Sequence, residues 1–293
     1  MTDTLPKFSL LSDRLVDPLI IDVLRHVDSA SREMGIDYFV GGALARDLIL
    51  LHVFGRDTGR ATRDVDLGIC IDDWGELDSL KERLLHSGKF SEQPGITHRL
   101  FYRPQQAPFG LPLDLLPFGG VERADTTIAW PPGMEIVMNV VGFSEAHAAA
   151  LQVEVAAGFA VPVTSLPALA VLKLIAWRDR YLVTNKDAID FLLVARHYHD
   201  AGNSDRLYEM ESALLQEAGF DPELAGVMLL GKDAAAICLA STARQVTVIL
   251  AEDQWRQRLI DQLLRVTILS GDDTTGPRLA GYLDAFRRGF VSL

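Results

Sequence analysis

The chain has 293 residues, a formal net charge of −12 and 48% hydrophobic residues. This length allows a sizeable core and two domains, and the composition is ordinary for a soluble globular protein. The acidic balance argues against a general nucleic-acid coat protein, because such proteins need a basic face.

Two further features indicate where the protein works. No apolar run reaches the roughly 18 residues that span a bilayer, and the first ten residues lack the pattern of a signal peptide. The two cysteines, Cys70 and Cys238, are isolated and favour a reduced compartment without a disulfide framework. We therefore expect a cytoplasmic protein that does not engage a membrane.

The first half of the sequence mixes helix and strand patterns. Gly35 ends the first helix, and acidic residues begin the third. A Pro- and Gly-rich stretch at 128–137 interrupts the pattern. In chain order, the predicted elements are a helix at 18–34, a strand at 37–42, a helix at 43–54, a strand at 63–71, a helix at 72–88, strands at 97–103 and 111–118, and a helix at 144–152.

From about Val163 the patterns are helical. Two adjacent helices are predicted at 165–182 and 185–200, and further helical segments follow. The patterns therefore predict an α+β chain, with an α/β lobe at residues 1–160 and an α-helical lobe at residues 161–293.

Asp64 and Asp66 lie two residues apart in an apolar run, so a strand would place both side chains on one face. Asp114 is a third acid inside an apolar strand, where an isolated carboxylate is costly. Each acid alone has an ordinary explanation, either as a solvated surface residue or as a hydrogen-bonded strand residue. If the two strands are neighbours, three carboxylates share one face.

Three such carboxylates can hold two Mg²⁺ ions about 4 Å apart, which clamp the oxygens of a phosphoryl displacement. The cations also relieve the repulsion, which at an effective dielectric near 20 is on the order of 4 kcal/mol. Asp64, Asp66 and Asp114 are thus the predicted metal ligands.

Gly41 and Gly42 fall between a predicted strand and a helix. Glycine allows close backbone approach, and a helix N-terminus offers N–H groups to a phosphate. The same glycines could serve only the turn itself. A local basic patch is possible between this turn and the acid pair, although these side chains could equally be solvated surface charges; its members are Arg46, Arg56, Arg60 and Arg63.

The order "VGG", "TRDVDL" and "PLDLLPF" resembles the nucleotidyltransferase superfamily of DNA polymerase beta type. Within it the chain is most similar to the AbiEii/AbiGii-type toxins, because "GGALARDLI" and "LAVLKLIAWRDRYLVTNKDAIDFLLV" match their glycine turn and helical motif. The matching motifs span about residues 38–195. The interval between Gly42 and Asp64 is longer than in minimal members of the superfamily.

The resemblance implies that the first lobe is a mixed β-sheet with flanking helices. It also implies a metal-dependent enzyme that moves a nucleoside monophosphate from a nucleoside triphosphate (NTP) to an acceptor hydroxyl. Gly41 and Gly42 would shape the triphosphate turn, and Asp114 could act as general base. Lys173 would neutralise triphosphate charge. The remaining nucleotide-binding candidates are Arg46, Arg63 and Asp187.

The resemblance also implies partners. The acceptor could be a tRNA end or a protein side chain, and a cognate antitoxin could be encoded nearby. Two other functions stay open: an antibiotic-modifying nucleotidyltransferase and a catalytically silent nucleotide-binding protein.

The residues of the second motif also have structural explanations. Lys173 could be an amphipathic helix lysine, Thr184 and Asp187 could form a capping box, and Asp190 could pair with Arg180 or Lys186.

Overall fold

The computed structural model describes residues 7–59, 62, 64–104, 110–269 and 275–292. The chain divides into two compact units, Met1–Ser165 and Leu166–Leu293. The first unit combines helices and strands, and the second is helical.

The first unit contains ten strands and four α-helices among its described residues. Its first part runs through β1 (Lys7–Ser9), α1 (Pro18–Met34), β2 (Asp37–Val40), α2 (Gly42–Asp47), a π-helix (Leu48–Val53), β3 (Val65–Ile71) and α3 (Trp74–His86). Its second part runs through β4 (Phe90–Glu92), β5 (Arg99–Tyr102), β6 (Leu111–Gly119), β7 (Thr127–Ala129), β8 (Val137–Asn139), α4 (Phe143–Ala148), β9 (Leu151–Ala156) and β10 (Phe159–Val163).

Eight of these strands form one mixed sheet in the order β1-β9-β10-β2-β3-β6-β5-β4. At its centre β3 pairs antiparallel with β2 and parallel with β6, and β5 pairs antiparallel with β6. β7 and β8 form a separate hairpin. This mixed sheet with flanking helices confirms the predicted α+β fold.

Along the central strands β3 and β6, buried apolar side chains alternate with more polar ones. Val65, Leu67 and Ile69 of β3 are fully buried, whereas Asp66 between them is half-buried. On β6, Leu113 and Leu115 are fully buried on either side of Asp114. One face of each strand thus contributes to the core, and the other carries the acids.

The second unit is a set of helices. Its core includes the buried aromatic residues Trp177, Phe191 and Phe286. In chain order the helices are α5 (Leu166–Arg180), α6 (Lys186–His197), a 3₁₀ turn (Tyr198–Asp200), α7 (Ser204–Glu209), α8 (Ser212–Glu217), α9 (Pro222–Ile237), α10 (Ala240–Ala251), α11 (Asp253–Leu269) and α12 (Gly276–Val291). No helix among the described residues is long and apolar enough to cross a membrane.

Two local predictions are wrong in part. The helix predicted at 144–152 ends at Ala148, and β9 begins at Leu151 because this segment pairs with both β1 and β10. The helix predicted at 43–54 is α-helical only to Asp47 and continues as a π-helix. The expected lobe boundary at residue 160 falls inside β10.

Candidate active site

The glycine turn after β2 contacts the backbone and side chain of Asp66. Gly41 donates its N–H to the Asp66 carbonyl oxygen at 2.8 Å. Gly42 has a φ of +60°, and a Cβ built on it would lie 1.9 Å from Asp66 Oδ2. A larger residue at position 42 would therefore be strained and would also collide with the carboxylate. The turn and Asp66 are therefore in direct contact despite the long interval between them in sequence.

Asp66 and Asp114 are neighbours on adjacent strands. They are direct partners in the parallel register of β3 and β6, so their side chains stand on the same face of the sheet. Asp64 immediately precedes β3 and, like Asp66, is half-buried, whereas Asp114 is buried. The structure thus brings Asp66 and Asp114 together, with Asp64 two residues before Asp66.

Arg99 belongs to this group, and the sequence patterns did not single it out. It is the antiparallel partner of Asp114 between β5 and β6. Its Nε lies 2.5 Å from Asp114 Oδ1 and its Nη2 lies 2.7 Å from Oδ2, a two-pronged pair. The hydrogen bonds to Asp114 raise the pKa of Arg99, and the charges of Asp64 and Asp66 raise it further. We call the following residues the carboxylate cluster: Asp64, Asp66, Asp114 and Arg99.

The carboxylate cluster can be tested for its fit to a divalent cation. Its oxygen donors are those that Mg²⁺ prefers, and the missing Cβ of Gly42 makes room for the Asp66 carboxylate at this place. Both oxygens of Asp114, however, are bound by Arg99. Among the described residues, no group of three or more His, Cys, Asp or Glu side chains is arranged to hold a metal ion. Asp64 and Asp66 therefore offer carboxylate oxygens of the kind that a divalent cation takes, whereas Asp114 would offer its own only after it exchanges its arginine partner.

Of the two arginines predicted to bind the nucleotide, the structure describes Arg46 but not Arg63. Arg46 is fully buried, and its Nε and Nη2 donate to Asp47 Oδ1 at 2.9 and 2.6 Å. The alternative of a solvated surface charge is therefore wrong for Arg46, and its role toward a nucleotide stays a prediction. Arg63 lies outside the described residues, as does Arg60.

In the second unit, Lys173 forms a buried ion cluster with residues of α6. Lys173 Nζ lies 3.2 Å from Asp187 Oδ1 and 2.7 Å from Asp190 Oδ2. Arg180 approaches Asp187 with Nε and Nη2 at 3.1 and 2.9 Å. Lys173, Asp187 and Asp190 are buried, whereas 57% of the Arg180 side chain is exposed. We call the following residues the buried ion cluster: Lys173, Arg180, Asp187 and Asp190.

This arrangement corrects one structural explanation offered for the second motif. Helix α6 begins at Lys186 with Asn185 as its N-cap, so Thr184 and Asp187 do not form the expected capping box. The Thr184 hydroxyl instead accepts a hydrogen bond from the Lys186 N–H at 3.2 Å. The Asp187 carboxylate binds Lys173 and Arg180. Asp190 pairs with Lys173, a partner that the sequence patterns did not identify.

Comparison with protein families identifies one match. The family model described as nucleotidyl transferase AbiEii toxin, type IV toxin–antitoxin system, matches residues 24–270. This range contains both motifs on which the resemblance rests, and it confirms that resemblance. No curated protein sequence matches the chain at a significant level.

Several solved structures resemble the chain remotely. An antigenic nucleotidyltransferase-like protein from Paracoccidioides brasiliensis is 19% identical, with 71% of this chain and 93% of that one covered and a TM-score of 0.41. ANT(2'')-Ia in complex with adenylyl-2''-tobramycin is 16% identical, with 69% and 96% covered and a TM-score of 0.36. The Thermotoga maritima CCA-adding enzyme complexed with tRNA is 12% identical, with 94% and 81% covered and a TM-score of 0.26. TM-scores this low do not support an inference about substrates.

Proposed function

Because the chain belongs to the AbiEii family of nucleotidyltransferases, we propose that it moves a nucleoside monophosphate from an NTP to an acceptor hydroxyl in a metal-dependent reaction. The single observation that carries this proposal is the contact of the glycine turn with the acid pair. Gly41 hydrogen-bonds to the Asp66 backbone, Gly42 leaves space for the Asp66 carboxylate, and Asp114 is the cross-strand partner of Asp66.

Each residue of this site has a proposed task. Asp64 and Asp66 would hold the metal, and Asp114 would join them and accept the proton of the hydroxyl that attacks the α-phosphate. The new bond forms between that hydroxyl oxygen and the α-phosphorus, and pyrophosphate leaves. Gly41 and Gly42 let the backbone approach the triphosphate closely. Two Mg²⁺ ions, when bound, neutralise phosphate charge and polarise the reacting oxygens.

The remaining candidates are assigned to the nucleotide. Lys173 supplies positive charge to the triphosphate, and Asp187 orients Lys173 through their ion pair. Arg46 and Arg63 complete the nucleotide-binding set. The two-lobe division near residue 160 is part of the same proposal, with the catalytic lobe at residues 1–160.

The family description, which names a toxin of a type IV toxin–antitoxin system, supports the proposed biological role. We take the acceptor to be a tRNA end or a protein side chain, and the protein to be a cytoplasmic toxin neutralised by a cognate antitoxin. Induced expression is then expected to slow bacterial growth, and the Asp66→Asn variant is expected to relieve that inhibition.

The direct test is transfer of label from each α-³²P NTP, in the presence of Mg²⁺, to bulk tRNA, to cell protein or to aminoglycosides. The Asp66→Asn variant is expected to lose roughly a hundredfold or more of the rate, because metal-based charge stabilisation provides several kcal/mol. Label on the aminoglycosides alone would favour an antibiotic-modifying enzyme. NTP binding without transfer to any acceptor would indicate a catalytically silent protein.

Asp37→Asn is the matched control. Asp37 is an exposed carboxylate at the start of β2, at the opposite end of the strand from the glycine turn. The same change of charge there should leave transfer intact. Transfer by Asp66→Asn at near the wild-type rate would refute the proposed metal site.

A further inference from the structure

Arg99 is the basic residue of the carboxylate cluster, and it binds the carboxylate of Asp114. It pairs with Asp114 across the β5–β6 register, with both carboxylate oxygens engaged at 2.5 and 2.7 Å. The Arg99 side chain is 30% exposed and that of Asp114 is 10% exposed. The guanidinium is thus accessible from solvent while it covers a largely buried acid.

Arg99 is surrounded by negative charge from Asp64 and Asp66 as well as from its partner Asp114. The hydrogen bonds to Asp114 raise the pKa of Arg99, and the negative charges of Asp64 and Asp66 act in the same direction. The guanidinium therefore experiences the field of all three proposed metal ligands. A divalent cation would be attracted by the same field, and two cations that share one carboxylate repel each other.

We propose that Arg99 is an internal counter-ion of the carboxylate cluster, and that it must leave Asp114 before Asp114 can ligate a divalent cation. The inference rests on the proposed function, because it takes Asp64, Asp66 and Asp114 as the metal ligands. Arg99 is a positioning residue that acts through Asp114. In the absence of a divalent cation it stabilises the acids, and in its presence it competes for Asp114.

The test is direct binding of Mn²⁺, used in place of Mg²⁺ and followed by electron paramagnetic resonance on the full-length protein. Arg99→Gln removes the competing charge, so its Kd for Mn²⁺ is expected to be roughly tenfold lower than that of the wild type. Arg99→Lys keeps a positive charge but loses the two-pronged geometry, and its Kd is expected to lie between the two.

Arg103→Gln is the control for a general change of net charge. Arg103 follows β5, is exposed, and lies over the ring of Phe101 at 5.8 Å rather than beside the acids. It is expected to bind Mn²⁺ as the wild type does. A second readout is thermal stability: without a divalent cation the Arg99→Gln variant should unfold at a lower temperature than the wild type, and Mn²⁺ should raise its Tm by more.

The outcomes separate the inference from the proposed function. Equal Mn²⁺ affinity in the wild type, Arg99→Gln and Arg99→Lys, with binding abolished by Asp66→Asn, would overturn the counter-ion role and leave the metal site intact. A lower Tm for Arg99→Gln without tighter Mn²⁺ binding would assign Arg99 a purely structural role. If none of these proteins binds Mn²⁺ at millimolar concentration, the metal site itself is refuted, and the counter-ion role with it.

Discussion

The carboxylate cluster of the first unit and the buried ion cluster of the second unit are both built from aspartates and basic residues, but they differ in exposure and in pairing. In the carboxylate cluster, Asp64 and Asp66 are half-buried, and the charges of three carboxylates act on one guanidinium. In the buried ion cluster, Asp187 and Asp190 are 2% and 1% exposed, and they pair with Lys173 and Arg180.

The two clusters illustrate two different reasons why aspartates lie inside a protein. A buried carboxylate must be compensated, and the buried ion cluster achieves this with cations supplied by its own helices. The carboxylate cluster keeps part of its acidic surface open to solvent, beside a glycine turn whose missing Cβ makes room for the Asp66 carboxylate. We therefore expect substitutions in the buried ion cluster to reduce stability in addition to any loss of the proposed nucleotide charge of Lys173, and substitutions around the carboxylate cluster to reduce mainly activity.

The largest expected effect is that of Lys173→Met. The substitution leaves Asp187 and Asp190 buried without their lysine partner, which typically costs about 3–5 kcal/mol of the free energy of unfolding. Urea unfolding followed by tryptophan fluorescence measures this change, since Trp177 lies one turn away on the same helix.

Lys186→Met is the control for this substitution, because Lys186 is exposed at the start of α6. It should change the free energy of unfolding by less than about 0.5 kcal/mol. A Lys173→Met protein as stable as the wild type would contradict the comparison, because Asp187 and Asp190 would then not depend on their lysine partner; loss of transfer in such a protein would still agree with the proposed triphosphate role.

The second prediction concerns Gly42→Ala. The new Cβ would displace the Asp66 carboxylate, so nucleotide transfer should fall on the order of a hundredfold, while backbone strain costs about 1–3 kcal/mol of stability. Gly88→Ala separates the two effects, because Gly88 has a similar φ of +69° and open space around its Cβ position. That control should lose stability and keep activity. Equal activity of the two variants would show that contact with Asp66 is unimportant.

The sequence predicted the features that follow from local patterns. Alternating apolar residues identified β3 and β6, and the acids within them indicated a site, because a carboxylate in a buried strand requires a partner. The glycine pair was recognisable since it stands between a strand and a helix. The positions of these elements in the sheet then brought Asp66 beside Asp114.

Long-range pairing could not be predicted in this way. Arg99 reaches Asp114 only because β5 and β6 adopt one particular antiparallel register, which a single sequence does not reveal. The Thr184 and Asp187 pattern fits a capping box locally, but Asp187 turns toward Lys173 on the preceding helix. The hairpin of β9 and β10 was missed because the alanines at 148–150, directly before β9, favour continuation of the preceding helix.

The smallest expected effect is that of Arg180→Ala, and it tests whether exposure or pairing determines the contribution of each cation to the buried ion cluster. Arg180 binds the same carboxylate as Lys173, but more than half of its side chain is in solvent. Water can therefore replace much of its interaction with Asp187, and the free energy of unfolding should fall by about 1 kcal/mol or less. Arg180→Lys should fall between Arg180→Ala and the wild type. A loss as large as that of Lys173→Met, measured by the same urea unfolding, would mean that Asp187 depends on both cations equally and that burial of the lysine does not explain its larger contribution.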